Sequence, residues 1–199
     1  MVTNIKKMNL NKLIDKAYKT ACEHGFHDNK YSNEHSLCLV IKELMEAVEA
    51  IRNDNVANMI GFKTCMKNAY QGIVRDDWFL KSYRANIKGC AEEELADAAI
   101  RLLDLAGYRN LKIEDFTEEE IEDASESCND ETFAESVYAI STIPIRYEYE
   151  YGFSIDDQLK SMLLAIFGLA KHLDIDILWH IEQRMRYNEL RPAIHVKKY

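Results

Sequence analysis

Apolar positions along this chain recur at the three- and four-residue intervals of an α-helix, so helices rather than a sheet are expected. Leu10, Leu13, Ile14, Ala17, Tyr18 and Ala21 share one face and His24-Gly25 supplies a stop, which predicts a first helix over residues 9–24. From Ser36 to Arg52 the set Leu37, Val40, Ile41, Leu44, Val48 and Ile51 keeps the same rhythm. Residues 53–90 open on the turn signal Asn53-Asp54-Asn55, and periodicity does not assign the aromatic stretch Trp78-Phe79-Leu80-Lys81-Ser82-Tyr83. Residues 91–106 are periodic again up to Gly107, and Thr117-Glu118-Glu119-Glu120 has the form of a capping box that starts a short helix. Further helices are expected over 131–143, 156–172 and Ile175–Leu190, the last ended by Arg191-Pro192, because a residue before Pro avoids the helical region.

Composition agrees with this pattern. Seven Gly and two Pro leave few helix breakers, and 199 residues with 47% hydrophobic positions make one compact all-α domain over residues 1–199 the expectation. The longest apolar run, Met162 to Ala170, is too short to cross a bilayer, and MVTNIKKMNLNKL lacks the apolar core of a secretory signal. Five cysteines without C-x-x-C spacing indicate neither a disulfide framework nor a thiolate zinc site. A cytoplasmic protein with no membrane association is therefore expected. The net charge of −9 argues against a partner that is a nucleic-acid polymer, since binding to a phosphate backbone needs surplus Lys and Arg. A small anion stays compatible with that charge if a cation neutralises it.

The candidate chemistry lies in two acidic pairs. Residues three apart on a helix share a face, so Glu43 with Glu46, and Glu94 with Asp97, can each aim two carboxylates at one place. One such pair more often marks a solvated surface. The second helix differs, because Leu95, Ala98, Ala99, Leu102, Leu105 and Ala106 form a broad apolar face that Ile100 and Leu103 extend. Only a narrow stripe of Glu94, Asp97, Arg101 and Asp104 remains polar. A helix apolar over most of its circumference is interior, and carboxylates there must be paired, hold a metal or take up protons. Hard oxygen ligands suit Mg²⁺, or Mn²⁺, rather than zinc. The competing expectation is that Arg101 pairs with Asp97 or Asp104 as a buried salt bridge.

Glu43-Leu-Met-Glu46 followed by Glu94-Leu-Ala-Asp97 resembles the E-x-x-E and E-x-x-D pairs of the MazG-like all-α nucleoside triphosphate pyrophosphohydrolases. Glu23-His-Gly-Phe26-His-Asp28 is similar to the turn before the first acidic helix in one subgroup, and Glu93 to Gly107 is similar to that subgroup's E-L-A-D-x-x-I-R-x-x-D segment. The C-terminal Arg184-Met-Arg-Tyr-Asn188-Glu-Leu-Arg191-Pro-Ala-Ile-His195-Val-Lys-Lys198 resembles its closing K-M-x-Y-N-x-x-R-P-x-x-H-G-K motif, with Arg184 in place of Lys and Val196 in place of Gly.

The resemblance implies a helical bundle with residues 53–90 inserted between the two metal-binding helices, and a homodimer or higher homo-oligomer. It implies Mg²⁺ on Glu43, Glu46, Glu94 and Asp97, with Glu43, Glu46 or Glu49 orienting the attacking water. Arg101, Arg184, Asn188, Arg191, His195 and Lys197 would contact the nucleoside triphosphate substrate. A non-catalytic scaffold whose acids serve only salt bridges, and an enzyme for another diphosphate-linked compound, are the alternatives. His24 and His27 read as turn residues rather than metal ligands, and Trp78 and Tyr83 as core before base-stacking groups.

Overall fold

The computed structural model describes residues 8–68 and 75–191, and these carry nine α-helices and no strand. They are α1 (Leu10–Glu23), α2 (Asn33–Arg52), α3 (Met59–Lys67), α4 (Arg75–Asn86), α5 (Ala91–Tyr108), α6 (Glu118–Glu126), α7 (Phe133–Arg146), α8 (Ile155–His172) and α9 (Ile177–Leu190). A π-helical turn over Tyr147–Tyr151 joins α7 to Gly152, whose φ of +66° reverses the chain before α8. No helix among the described residues is long and apolar enough to cross a membrane.

Local chemistry places most starts. Asn9, Ser32, Asn58 and Asp176 each accept a hydrogen bond from the backbone N–H three residues on, and Thr117, Thr132 and Ser154 form reciprocal capping boxes. The last helix accordingly begins after the Asp176 cap, two residues later than apolar spacing predicts. α7 runs past the expected end at residue 143, through the buried Pro144 to Arg146. Pro removes one backbone donor and ordinarily kinks a helix; the packing of Ile140 and Pro144 in the interior offsets that loss.

α5 is the axis of the bundle. Thirteen of its 18 residues are buried, and α1, α2, α8 and α9 pack around it. Ala96, Ala98, Ala99 and Ala106 let those neighbours approach, and a methyl group on Gly107 would lie 2.5 Å from the Tyr18 Cβ of α1. α6 and α7 close the other side against α8.

Within residues 53–90, α3 and α4 pack on each other, and the described residues 53–58 and 87–90 on either side form turns and non-helical connections. Phe62, Phe79, Tyr83, Ile87 and Cys90 join Tyr187 of α9 in a second cluster apart from the main core. Tyr83 stacks on Tyr187 at 4.8 Å, Phe62 meets Trp179 edge-on, and the Trp78 indole N–H donates to the Cys65 carbonyl at 2.7 Å. Both aromatic side chains singled out in this segment, Trp78 and Tyr83, thus have structural partners.

Candidate metal centre

The N-terminal half of α5 faces the middle of α2, and this crossing brings Glu43, Glu46 and Glu94 together. One carboxylate oxygen from each lies within 4.8 Å of the others. Glu43 and Glu94 are 3% and 8% exposed, whereas Glu46 opens toward solvent.

The three carboxylates differ in their partners. Glu43 Oε1 accepts from Arg101 Nε at 2.7 Å and NH2 at 2.6 Å, so Arg101 bridges α5 to α2 rather than pairing along its own helix with Asp97 or Asp104. Lys42 Nζ stands 2.6 Å from Glu46 and 3.6 Å from Glu43. The Glu94 carboxyl has no hydrogen bond or ion pair among the described residues. Burial, then the nearby carboxylates of Glu93, Asp97 and Glu43, push its carboxyl up to about 8. Burial also raises Glu43 against the pull of Arg101. For Glu46 the desolvation is outweighed by hydrogen bonds from Lys42 and Glu43, and its carboxyl falls below the usual range.

Asp97 stands beside this group, tied to another partner. Its Oδ2 is 2.5 Å from Arg184 NH2, and the other arm of that guanidinium holds Glu93. Burial works against the Asp97 anion, but Arg184 and Arg101 hold the carboxyl below its ordinary value. Glu93 is fully buried; besides Arg184 it accepts from the Tyr83 hydroxyl at 3.2 Å and the Gly89 amide at 2.7 Å. Burial raises the Tyr83 phenol and keeps it a donor.

The buried Glu93–Arg184–Asp97 triad was not legible in the sequence, where Glu92-Glu93-Glu94 looks like an acidic first turn and its partner lies 91 positions away from Glu93. Arg184, expected to meet phosphate, is 6% exposed and committed to two carboxylates.

The remaining expected site residues are scattered. Glu49 is exposed near the end of α2, bonded to Asn53 at 3.1 Å and 3.5 Å from Arg52, outside the carboxylate group. At the end of α9, Asn188 Oδ1 and Arg191 Nε are buried without a hydrogen-bond partner among the described residues. Burial, then the like charge of Arg184, lowers the Arg191 guanidinium. His195 and Lys197 lie outside the described residues.

His27 is more than a turn residue, since its Nε2 is 2.7 Å from Asp104 Oδ1 and its ring stacks on Tyr108 at 4.9 Å. Asp104 was visible as the last member of the polar stripe; its partner was not, because it comes from the loop after α1.

The donor set fits a hard divalent cation. Among the described residues three carboxylates converge without His or Cys, one of them without a partner, and ligand distances of about 2.0–2.1 Å need only small side-chain rotations or bridging waters across this span. Comparisons with family models, with curated proteins and with solved structures find no match to this chain.

Proposed function

We propose that this protein is a Mg²⁺-dependent hydrolase of nucleoside triphosphates, cleaving between the α and β phosphates to a monophosphate and pyrophosphate, as its resemblance to the MazG-like enzymes implies. The supporting observation is Glu94, a residue only 8% exposed whose carboxyl has no partner among the described residues and lies within 4.8 Å of those of Glu43 and Glu46 on a neighbouring helix. A protein that needed these acids only for structure would gain by pairing or losing Glu94.

In this reading Glu43, Glu46 and Glu94 hold the ion, with Mn²⁺ as a substitute, and Asp97 adds negative charge from beside them. When bound, the ion supplies charge neutralisation for the triphosphate and a template for in-line attack. Glu46, the ionised and solvent-reached member, orients the attacking water and accepts its proton. Arg184 positions Asp97 and Glu93. Arg101 fixes Glu43, and Arg191 at the end of α9 contacts the substrate through its guanidinium. The chain acts as a homodimer or higher homo-oligomer, which sedimentation at micromolar concentration tests.

A second reading is favoured by one observation: Glu43, Glu46 and Asp97 each already have a cationic partner, which is what a non-catalytic scaffold with a salt-bridge network requires. Pyrophosphate release from a panel of nucleotides, with and without Mg²⁺, separates the two. The expected outcome is Mg²⁺-dependent release that falls at least about a hundredfold in Glu94→Gln while the helical circular dichroism is retained. Unchanged turnover in that variant, or no release from any triphosphate by the wild type, removes the hydrolase reading.

A further inference from the structure

Away from the carboxylate group, the segment after α5, helix α6 and the α8–α9 turn enclose a cleft of about 690 Å³. Its floor is apolar, built from Phe116, Ile121, Phe167 and Ile175, and its volume lies within the about 300–1,000 Å³ typical of sites that bury a ligand. Its rim is acidic: Asp115 and Glu118 on one side, Asp174 and Asp176 on the other. Among the described residues the one cation lining it, Lys171, is paired with Glu122 of α6.

The charge extends beyond the rim. Residues 113–145 contain eleven Asp and Glu and no Lys or Arg, whereas the remaining 23 of the 34 acids are matched by all 25 Lys and Arg. The excess of negative charge therefore lies in the segment that carries α6 and the start of α7, offset in part by Lys171 against Glu122 and Lys160 near Glu120 from the adjoining α8. Glu119, Asp123, Glu126 and Asp130 carry it, exposed, along and beyond α6. A negative field running from an apolar cleft along an adjoining helix is complementary to an extended ligand with an apolar anchor and several cations, rather than to a compact one.

We propose that this cleft is a docking site for a basic, amphipathic peptide segment of a partner protein, whose apolar side chains enter between α6 and the α8–α9 turn while its Lys and Arg lie along α6. The site shares no residue with the proposed metal centre and stands or falls independently of it. Apolar contact supplies affinity in this mode of recognition, and the charges supply orientation and on-rate.

The test is fluorescence anisotropy of a labelled peptide of alternating leucine and lysine pairs, with the full chain at low and physiological salt. An all-lysine peptide and a leucine–glutamate peptide serve as controls. The rim variant is Glu118→Gln with Asp174→Asn, since neither side chain caps a helix and Asn tolerates the positive φ of 56° at position 174.

Saturable binding of the leucine–lysine peptide alone, weakened about tenfold or more in the rim variant, is the expected result. Equal binding of the all-lysine peptide would show a diffuse acidic surface and overturn the proposal. So would absence of binding to both the full chain and a chain lacking residues 1–7. Binding that appears only after that deletion would make the chain's own basic start, Ile5-Lys6-Lys7, the occupant and equally overturn a partner in trans.

Discussion

Glu94 titrates in the sense opposite to a salt-bridged carboxylate. Its carboxyl stands near 4.5 in an exposed chain and at about 8 in the fold, so between those values the folded state holds a proton that the unfolded state has released. Stability of the metal-free protein should therefore decline as pH rises from about 4.5 to about 8. A bound cation takes the place of that proton, so Mg²⁺ should flatten the slope. Urea midpoints between pH 5 and 8.5, in EDTA and in Mg²⁺, measure this; identical slopes would remove Glu94 from any cation site. Arg184 makes the complementary case. Replacing it by Met strands Glu93 and Asp97, buried and unpaired, and should cost about 3–5 kcal/mol in denaturant unfolding, with Arg184→Lys intermediate because one ammonium cannot span both carboxylates.

At the scale of elements, the contact of α6 with α8 is set by one glycine. A Cβ on Gly168 would lie 2.5 Å from the Ala124 Cβ and 2.6 Å from its carbonyl carbon, backbone that cannot rotate away. Gly168→Ala gains helix propensity yet should lose about 1–3 kcal/mol, read as a lower urea midpoint with unchanged helical content. A neutral or stabilising result would mean that α6 is free to shift. The reach of the sequence differs by element for a related reason. α2 and α5 were legible because their apolar spacing runs over several turns, and Thr117 announced α6 through its capping chemistry. α3 and α4 were not, since α4 buries Phe79, Ser82 and Tyr83 against aromatic partners from α3 and α9 rather than along a single apolar stripe.

For the whole molecule, the carboxylate group sits where α2 crosses α5, so a cation bound there ties two helices of the main core together. An ion that binds only the folded state at a hundred times its Kd adds about 2.7 kcal/mol, which for a chain of this size raises Tm by roughly 5–10 °C. Scanning calorimetry with Mg²⁺ should show that rise in the wild type and not in Glu94→Gln. An equal rise in both would place the ion elsewhere.

The sequence by itself determined the helices outside residues 53–90, the Thr117 cap, the interior character of α5 and the pairing of acids on single helix faces, because all of these depend on residues within a few positions of one another. Only the tertiary structure decided which charges meet. Arg101 turned to Glu43 on another helix, Arg184 took Glu93 and Asp97 from across the chain, Glu49 fell outside, and of the four paired acids Glu94 kept no carboxyl partner among the described residues. Charge pairing in a dry interior follows distance in space, and helix packing, rather than spacing along the chain, sets that distance.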